Sequence, residues 1–441
     1  MSLTWNTFKS RCVPTLARSS SKAMQTRESV LSWEALTEQC TAPVHISSET
    51  LENGPATSYA RLRLFGKRPE DVRVTLYRDN HAWCPYCEKV WLFLEEKRIP
   101  FQVKKVTMFC YGEKEAWYKQ VVPSGMLPAV EIDGKMITES DDILVALESN
   151  FGVLYKGMAD RKVQFLRKLE RHLFRAWCSW LCYPSRNLRD DNARKEQFVK
   201  TAMAVEKVLG ERKTPFFLEK FSIVDCIFTP YVERMNASLY YYKGFVLRDK
   251  KLFPNLCQWF DALEAREAYR GMQSDFHTHV HDLPPQMGGC YPNGTADQIA
   301  AMKHVDEGPW HTLHDAHYSD QGHQARMVAL SRVLLHRENI CMANPLKNAL
   351  DEPLRAALTY MLHGKLVECS KNPEAATGLR YLRDRVNVPR DMPLWSARHF
   401  RDALEVTAKS LSGTTGEASV PIQHRRDQDP RQFFGVSGTR L

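Results

Sequence analysis

The sequence predicts an α/β domain, an all-helical domain after it, and a helical C-terminal extension. Three observations support this prediction. Strand-like and helix-like runs alternate over 68–153, apolar residues recur at helical spacing over 158–282, and helical spacing returns over 290–411. A chain of 441 residues is long enough for two or more domains. We predict a basic leader and lead-in over 1–67 and a polar, disordered tail over 412–441.

The α/β domain is organised around the stretch 83–87, which reads Trp-Cys-Pro-Tyr-Cys. A strand is predicted before it, since Val72, Val74 and Leu76 fall on one face. A helix is predicted after it over 88–99, with apolar residues on one face and charged residues at its end. A C-x-x-C between a strand and a helix indicates a redox motif rather than an arbitrary pair of cysteines.

The remaining runs complete one compact α/β unit. They are a strand over 101–108, a short helix over 113–120, strands over 127–132 and 135–138, and a helix over 141–148. Asp133-Gly134 is a hairpin signal between the last two strands, and Ser140 is a suitable N-cap for the last helix. Pro128 at the start of a strand predicts a cis peptide, because a trans proline is disfavoured within a ladder. The order of these elements is thioredoxin-like.

The two cysteines of the motif predict redox chemistry at the start of the first long helix. Pro85 suits the first helical turn, so Cys84 is expected at the helix N-terminus, where free N–H groups and the helix dipole favour thiolate. Cys87 lies three residues on, within reach of a disulfide. We therefore predict that Cys84 is the nucleophile and Cys87 at most the resolving thiol. Half of a zinc site and a merely structural pair remain as alternatives.

Composition excludes several classes of protein. The net charge of +9 is spread through the chain and accompanies no RNA-binding or DNA-binding signature, so we predict no nucleic-acid partner. No apolar run reaches the ~20 residues that span a bilayer, so we predict no membrane span. The 12 cysteines are too sparse for a disulfide framework and indicate reduced thiols in an intracellular or organellar compartment.

The beginning of the chain, residues 1–27, is basic and rich in serine. It contains no acidic residue, and its basic residues are Lys9, Arg11, Arg18, Lys22 and Arg27. It lacks the apolar core of a secretory signal and resembles an organellar transit peptide, for chloroplast or mitochondrion. The alternative is a disordered basic tail on a cytoplasmic protein.

Residues 161–275 change to an all-helical pattern. The apolar positions at helical spacing are Val163, Leu166, Leu169, Leu173, Ala176 and Trp180, then Phe198, Ala202, Val205 and Val208. Ser222 and Asp225 have capping-box form at the start of a helix that is expected to be interrupted at Pro230. Pro254 begins a further helix.

Over 73–275 the two units resemble the two domains of a cytosolic-type glutathione transferase, a thioredoxin-like domain followed by a helical bundle. The Pro-Phe-Phe-Leu run at 215–218, with Ser222 and Asp225, resembles the capping motif of that family's second domain. The Cys-Pro-Tyr-Cys run at 84–87 is identical in form to the glutaredoxin motif. It also resembles the cysteine-containing omega and lambda transferases and the dehydroascorbate reductases. The resemblance implies glutathione as a co-substrate.

Four residues are expected to hold glutathione. The peptide before Pro128 exposes N–H and C=O groups, so Leu127 would pair with the cysteinyl backbone of glutathione. The N–H groups of the helix that starts at Ser140 would receive the γ-glutamyl carboxylate, and Glu139 would balance its ammonium group. The resemblance supports this assignment, because Glu139 and Ser140 match the Glu/Ser pair of the family. A simple helix cap is the alternative for these two residues.

The resemblance implies further site residues. Tyr86 lies within the cysteine motif, and Lys114 matches in spacing the omega-class lysine that meets the glycyl carboxylate. A solvated helix lysine is the alternative for Lys114. The second substrate is expected between the domains, where Trp177, Trp180 and Tyr183 would either line an apolar pocket or belong to the core.

The motif and the resemblance together predict a glutathione-dependent thiol transferase or reductase. The Cys84 thiolate would attack a mixed disulfide, a glutathionyl adduct or an oxidised small molecule such as dehydroascorbate, and the enzyme would become glutathionylated at Cys84. The expected partners are glutathione and a protein or small-molecule thiol or disulfide, with a homodimer as a possible assembly. The alternative is a binding or scaffold protein with little catalytic activity, which the long extension favours.

Three histidines lie just beyond the region of resemblance, at His277, His279 and His281. Alternation would place all three on one face of an extended segment, which could bind a metal ion. The alternative, which we adopt, is a surface or linker stretch, so we predict no metal site. Pro and Gly pairs at 284–285 and 288–289 mark a boundary before the helical extension.

Overall fold

The computed structural model describes residues 29–412, apart from Phe109 and residues 370–372. The predictions for the basic leader over 1–27 and for the disordered tail therefore lie outside the described residues. Within the described part of the chain, none of the helices combines the length and the apolar character needed to cross a membrane.

The α/β domain has the predicted thioredoxin-like order behind a short lead-in. Its elements are α1 Trp33–Gln39, α2 Ser48–Asn53, β1 Leu62–Arg63, β2 Val74–Asp79, α3 Pro85–Lys97, β3 Phe101–Val106, α4 Ala116–Val121, β4 Ala129–Ile132, β5 Lys135–Thr138 and α5 Ser140–Phe151. The strands form one sheet in the order β1-β3-β2-β4-β5. The central strand β2 pairs in parallel with β3 and antiparallel with β4, which confirms the fold class.

Local signals in this domain gave the predicted turns. Asp133 and Gly134 have φ angles of 49° and 81°, both left-handed, as a two-residue hairpin between β4 and β5 requires. The Leu127–Pro128 peptide is cis, as predicted. The N-cap prediction at Ser140 is wrong, because Ser140 is the first residue of α5 and Glu139 takes the cap position without a side-chain cap. Glu139 has φ 62°, an uncommon backbone conformation for a residue with a side chain.

The second domain is helical throughout. Its helices are α6 Arg161–Leu181, α7 Leu188–Gly210, α8 Ile223–Lys243, α9 Pro254–Glu264, α10 Glu267–Arg270 and α11 Phe276–Met287. The capping box is confirmed, since Asp225 Oδ2 accepts from the Ser222 backbone N–H at 2.9 Å. The predicted interruption at Pro230 is wrong, because α8 continues through it. Nearly all residues of α8 are buried, and this packing outweighs the one hydrogen bond that proline removes.

The three histidines lie in α11, so the prediction of an extended segment is wrong. A helix places His277 and His281 on one face and turns His279 away from them. The helix also runs through Pro284 and Pro285 to Met287, where Gly288 ends it with φ 78°. A wholly buried first part explains this outcome, because buried backbone groups must be hydrogen-bonded and a helix pairs them within the segment.

The extension is helical, as predicted. Its helices are α12 Ala296–Glu307, α13 His323–Ala343, α14 Asp351–His363, α15 Pro373–Arg383 and α16 Leu394–Ser412. It has an apolar core of its own, which includes Leu36 from the lead-in. Helix α1 packs there, and its Trp33 Nε1 donates to Asp351 Oδ1 at 2.7 Å. This part of the lead-in therefore packs on the extension.

A loop of the extension, residues 386–391, packs against the lead-in and the start of α11. The Val388 backbone N–H donates to Thr278 Oγ1 at 3.0 Å, and Ser58 Oγ donates to the Pro389 carbonyl at 2.7 Å. Arg401 of α16 forms a buried ion pair with Asp275. These contacts connect the extension to the lead-in and to the start of α11.

Candidate active site

The cysteine motif lies at the start of α3. Cys84 is the N-cap residue and Pro85 is the first helical residue, as predicted. The first N–H groups of α3 have no partner within the helix, and they and the helix dipole stabilise negative charge on a sulfur at this position. Cys84 is 7% exposed, so its sulfur lies at the bottom of the site rather than on the surface.

Cys87 lies one turn further into α3 and is 1% exposed. Burial raises the pKa of its thiol well above the ordinary value, and a hydrogen bond that it donates to Cys84 raises the pKa further. Cys87 therefore stays protonated and donates to the sulfur of Cys84. The two cysteines are unequal in the way that a nucleophile and a resolving thiol would be.

Asp79 ends β2 beside the cysteines. One of its carboxylate oxygens and the two sulfurs all lie within 4.8 Å of one another. Oδ2 accepts from the Trp83 backbone N–H at 2.6 Å, whereas Oδ1 has no hydrogen-bond partner among the described residues. Sequence reasoning missed Asp79, which reads as the polar end of a strand. Its negative charge also raises the pKa of Cys87, and with both sulfurs it could hold Zn²⁺.

Trp83 is fixed at each of its polar atoms. Its N–H donates to Asp79, its carbonyl accepts from Arg234, and its indole Nε1 donates to His279 Nδ1 at 3.2 Å. The guanidinium of Arg234 also lies over the indole ring, 4.6 Å from its centroid. The residue before the nucleophile is therefore held by β2, α8 and α11 together.

A buried group of charged residues lies beneath α3. Arg234 Nη1 donates to Glu88 Oε2 at 2.9 Å, and His279 Nε2 lies 2.9 Å from Glu233 Oε1 at an angle too oblique for a hydrogen bond. Burial, followed by repulsion from Glu233, raises the pKa of Glu88 to about 8. Burial raises the pKa of Glu233 to about 7 and lowers that of His279 to about 3. At neutral pH His279 is uncharged, and the carboxyl pair holds a proton.

Two of the residues predicted for glutathione, Lys114 and Ser140, are at least partly buried. Lys114 is half-buried, and its Nζ donates to the Thr107 carbonyl at 2.9 Å. Burial lowers the pKa of Lys114, and the negative charge of Glu115 opposes that effect. Ser140 is 8% exposed at the first turn of α5.

The start of α5 is tied to its neighbours by Asp141, which the sequence interpretation did not single out. Its Oδ1 accepts from Lys89 Nζ of α3 at 2.6 Å, and its Oδ2 accepts from Arg167 of α6. Burial acts to raise the pKa of Asp141, but Lys89 and Arg167 lower it overall. Asp141 therefore joins the two domains next to the predicted γ-glutamyl position.

A polar cleft of about 530 Å³ lies away from the cysteines, between the lead-in, the end of α3 and α9. Its charged residues neutralise one another: Arg63 pairs with Glu95 at 3.0 Å, and Arg266 pairs with Glu96. The cleft contains no cysteine, histidine or other nucleophile in its lining. The cysteine motif is therefore the better candidate for an active site.

Comparison with known proteins agrees with this geometry. Residues 83–150 match the family model of the glutathione S-transferase N-terminal domain, and residues 191–262 match that of the glutathione S-transferase C-terminal domain. Two segments of the chain are therefore similar to the two domains of the glutathione S-transferase family. The extension after residue 290 lies outside both matched ranges.

Several plant transferases are similar to this chain. Glutathione S-transferase DHAR3, chloroplastic, from Arabidopsis thaliana is 24% identical over 207 residues, which cover 47% of this chain and 75% of that protein. Glutathione S-transferase L1 from the same plant is 26% identical over 201 residues, with coverage of 44% and 79%. The crystal structure of glutathione transferase Omega 3C from Trametes versicolor is 27% identical and covers 47% of this chain and 91% of its own, with a TM-score of 0.39.

The aromatic residues predicted for the second substrate lie elsewhere. Trp177 and Trp180 are 1% and 0% exposed, so they are core residues and do not line an open pocket. Trp177 Nε1 donates to Ser238 Oγ at 2.9 Å, and Trp180 packs against Phe198. Tyr183 is 61% exposed, beyond the end of α6. For Trp177 and Trp180 the alternative stated from the sequence, that they belong to the core, is confirmed.

Other aromatic residues approach the cysteine motif. Tyr86 is 39% exposed, and its ring meets that of Tyr231 edge to face at 5.8 Å. Phe174 of α6 packs on the other side of Tyr231 at 5.4 Å, and Arg171 lies over both of these rings. Phe174 lies one turn before Trp177 on α6, so helical periodicity could have identified Phe174 once the buried face of the helix was known.

Proposed function

We propose that this protein is a glutathione-dependent thiol transferase or reductase in which Cys84 is the nucleophile. One observation supports this proposal most strongly: Cys84 caps α3 while the neighbouring Cys87 is buried, protonated and hydrogen-bonded to it. A sulfur that lies at the positive end of a helix dipole and receives a thiol hydrogen bond is stabilised as a thiolate, which is the attacking form. The family match at both domains supports glutathione as the co-substrate.

The proposed reaction has two thiol–disulfide exchanges. The Cys84 thiolate attacks the glutathionyl sulfur of a mixed disulfide, a bond forms between the two sulfurs, and the substrate thiolate leaves and takes a proton. The thiolate of a second glutathione then attacks that glutathionyl sulfur, which releases glutathione disulfide and restores the Cys84 thiolate. The sum converts one mixed disulfide and one glutathione into one free thiol and one glutathione disulfide.

We also propose how the chain holds glutathione. The backbone of Leu127, before Pro128, pairs with the cysteinyl unit, and Lys114 meets the glycyl carboxylate. The first N–H groups of α5, beginning at Ser140, receive the γ-glutamyl carboxylate, and Glu139 pairs with its ammonium group. The left-handed φ of Glu139 supports this proposal, since costly backbone conformations concentrate at ligand sites.

The second substrate is proposed to lie over Tyr86 and Phe174, which both pack on the buried Tyr231, beside Arg171. This group joins the motif helix to α6 and α8. Arg171 is held in place by Glu170, whose carboxylate accepts a hydrogen bond from the guanidinium. An aromatic face beside a fixed cation favours a planar or anionic substrate over an aliphatic one. Dehydroascorbate and a glutathionylated peptide are both compatible with it.

Turnover against a panel tests the function. The panel contains a glutathionylated peptide, dehydroascorbate, a small disulfide and an aromatic electrophile, each assayed with glutathione. The proposal predicts reduction of one or more of the first three and little conjugation of the fourth. Glutathione binding without turnover of any of them would favour the alternative, a binding or scaffold protein.

We propose an organelle as the place of action. The relatives DHAR3 and L2 of Arabidopsis thaliana are both named chloroplastic, and the basic start of this chain has transit-peptide composition. A fluorescent fusion to the full chain, compared with one that lacks residues 1–27, tests this proposal. The homodimer remains a prediction, which light scattering of the full chain would test.

A further inference from the structure

A second cluster of chemically active side chains lies where the bundle meets the extension. His277 and His281 of α11 and Asp306 of α12 each offer a ligand atom, and these atoms all lie within 4.8 Å of one another. His281 Nε2 lies 2.9 Å from Asp306 Oδ1, and the rings of His277 and His281 meet at 4.7 Å between centroids. The two histidine side chains are buried, and the Asp306 side chain is 16% exposed.

We propose that His277, His281 and Asp306 bind a divalent transition-metal ion, with Zn²⁺ as the best fit. Two imidazoles and one carboxylate are the ligand set of Zn²⁺ and Fe²⁺ sites, whereas Ca²⁺ and Mg²⁺ prefer oxygen ligands only. The spacing of four residues between the histidines places both rings on one face of a helix, so a single ion can meet both.

The geometry needs only small side-chain movements. Zn–N bonds of ~2.05 Å in a tetrahedral site place the ligand atoms about 3.3 Å apart. The His281–Asp306 distance of 2.9 Å must therefore open slightly, and the remaining distances, at most 4.8 Å, must close by rotation of the side chains. The ion displaces the proton between His281 and Asp306, and a water molecule completes the coordination.

The surroundings hold the carboxylate ready for an ion. The Tyr241 hydroxyl donates to Asp306 Oδ2 at 2.8 Å, which leaves Oδ1 facing His281. The Tyr241 ring also packs edge-on against His281, with centroids 5.4 Å apart. Partners of this kind fix the orientation of metal ligands.

The position of the site gives it a structural role. An ion bound there would join α11 to α12, and therefore the transferase bundle to the extension. His279 lies on the same helix between the two histidine ligands and accepts from Trp83, the residue before Cys84. The ion therefore stabilises the helix that holds Trp83, and it does so without contact to the cysteines.

Metal titration of the full chain tests the proposal in a background that removes the other cluster. The Cys84→Ser/Cys87→Ser protein, stripped with a chelator, is titrated with Zn²⁺ against a chromogenic competitor, and separately with Co²⁺. We expect one tight equivalent of Zn²⁺ and a Co²⁺ spectrum with d–d bands but no thiolate charge-transfer band. Asp306→Asn and His277→Gln, each added to this background, are expected to weaken Zn²⁺ binding by at least ~100-fold, above the range of an outer-shell change.

His304→Gln is the matched control, because His304 lies on α12 with Asp306 but contacts Tyr240 and Thr312 instead. It should bind Zn²⁺ like the background protein. Circular dichroism checks that each variant is folded. If one of the two ligand variants does not fold, the other still tests the site. The proposal is overturned if the background protein binds no Zn²⁺, if its Co²⁺ spectrum shows thiolate ligation, or if a folded ligand variant keeps the affinity.

Discussion

The indole Nε1 of Trp83 donates a hydrogen bond to His279 Nδ1 at 3.2 Å, across 196 positions of sequence. Because burial lowers the pKa of His279 to about 3, the ring is neutral at pH 7, and an accepting Nδ1 means that Nε2 carries the proton. Trp83 immediately precedes Cys84, so this bond places the residue before the nucleophile under the control of α11. The candidate active site therefore includes a helix that lies beyond the matched family domains.

Substitution of Trp83 and of His279, singly and together, should show that the two side chains stabilise each other. His279→Leu leaves the buried indole N–H without an acceptor and is expected to lower the free energy of unfolding by about 1–3 kcal/mol. Trp83→Phe removes the donor, so the same histidine substitution should cost less in that background. Urea unfolding of the four proteins in a double-mutant cycle measures the difference. Strict additivity would show that the hydrogen bond contributes nothing.

The stability of the protein should fall as pH rises through neutrality, because of Glu88. Its pKa is about 8 in the folded protein against 4.5 ordinarily, so between these values the folded state binds more protons than the unfolded state. The contribution of the neutral carboxyl is complete below the ordinary pKa and is lost as pH rises through the folded pKa. Glu88→Gln should flatten this dependence and gain about 1–3 kcal/mol over the parent at about pH 9.

Denaturant unfolding between about pH 6 and pH 9 checks this prediction. Glu113→Gln is the control, because Glu113 is exposed and the substitution removes the same charge from the surface. If the free energies of unfolding of the parent and of Glu88→Gln change with pH in parallel, Glu88 is not the source of the pH dependence.

Glutathione affinity should depend on Glu139. Glu139→Ala removes the proposed partner of the γ-glutamyl ammonium and is expected to weaken binding by about 1–3 kcal/mol. Asp142→Asn is a matched control, because Asp142 is an exposed carboxylate in the first turn of the same helix. Calorimetry with reduced glutathione distinguishes the two. Equal affinity in Glu139→Ala and in the parent would refute this assignment.

Much of the α/β domain could be predicted because its signals are local. Asp133-Gly134 determines a hairpin, Pro128 a cis peptide and Pro85 a helix start, and each depends on one or two neighbouring residues. Repeated apolar spacing likewise identified the long helices. These elements were sufficient to place Cys84 at a helix N-terminus before any tertiary contact was known.

The errors came from residues whose surroundings are supplied by distant segments. Spacing showed that Trp177 and Trp180 share a helix but could not show that this face packs into the core. The mixed charge around Arg383 gives no local sign of burial, yet Arg383 is 0% exposed and pairs with Glu405 of α16. Asp79 was overlooked for the same reason, because its partners are brought to it by the fold.

Steady-state reduction of a glutathionylated peptide by the Cys84→Ser and Cys87→Ser variants tests the central claim most directly. Cys84 carries the attacking sulfur in this account, so Cys84→Ser should abolish turnover. Cys87 is buried and protonated, and glutathione itself can resolve the intermediate, so Cys87→Ser should retain most of the rate. Equal loss in both variants, as a structural disulfide or a metal pair would give, or activity that survives in Cys84→Ser, would contradict the mechanism.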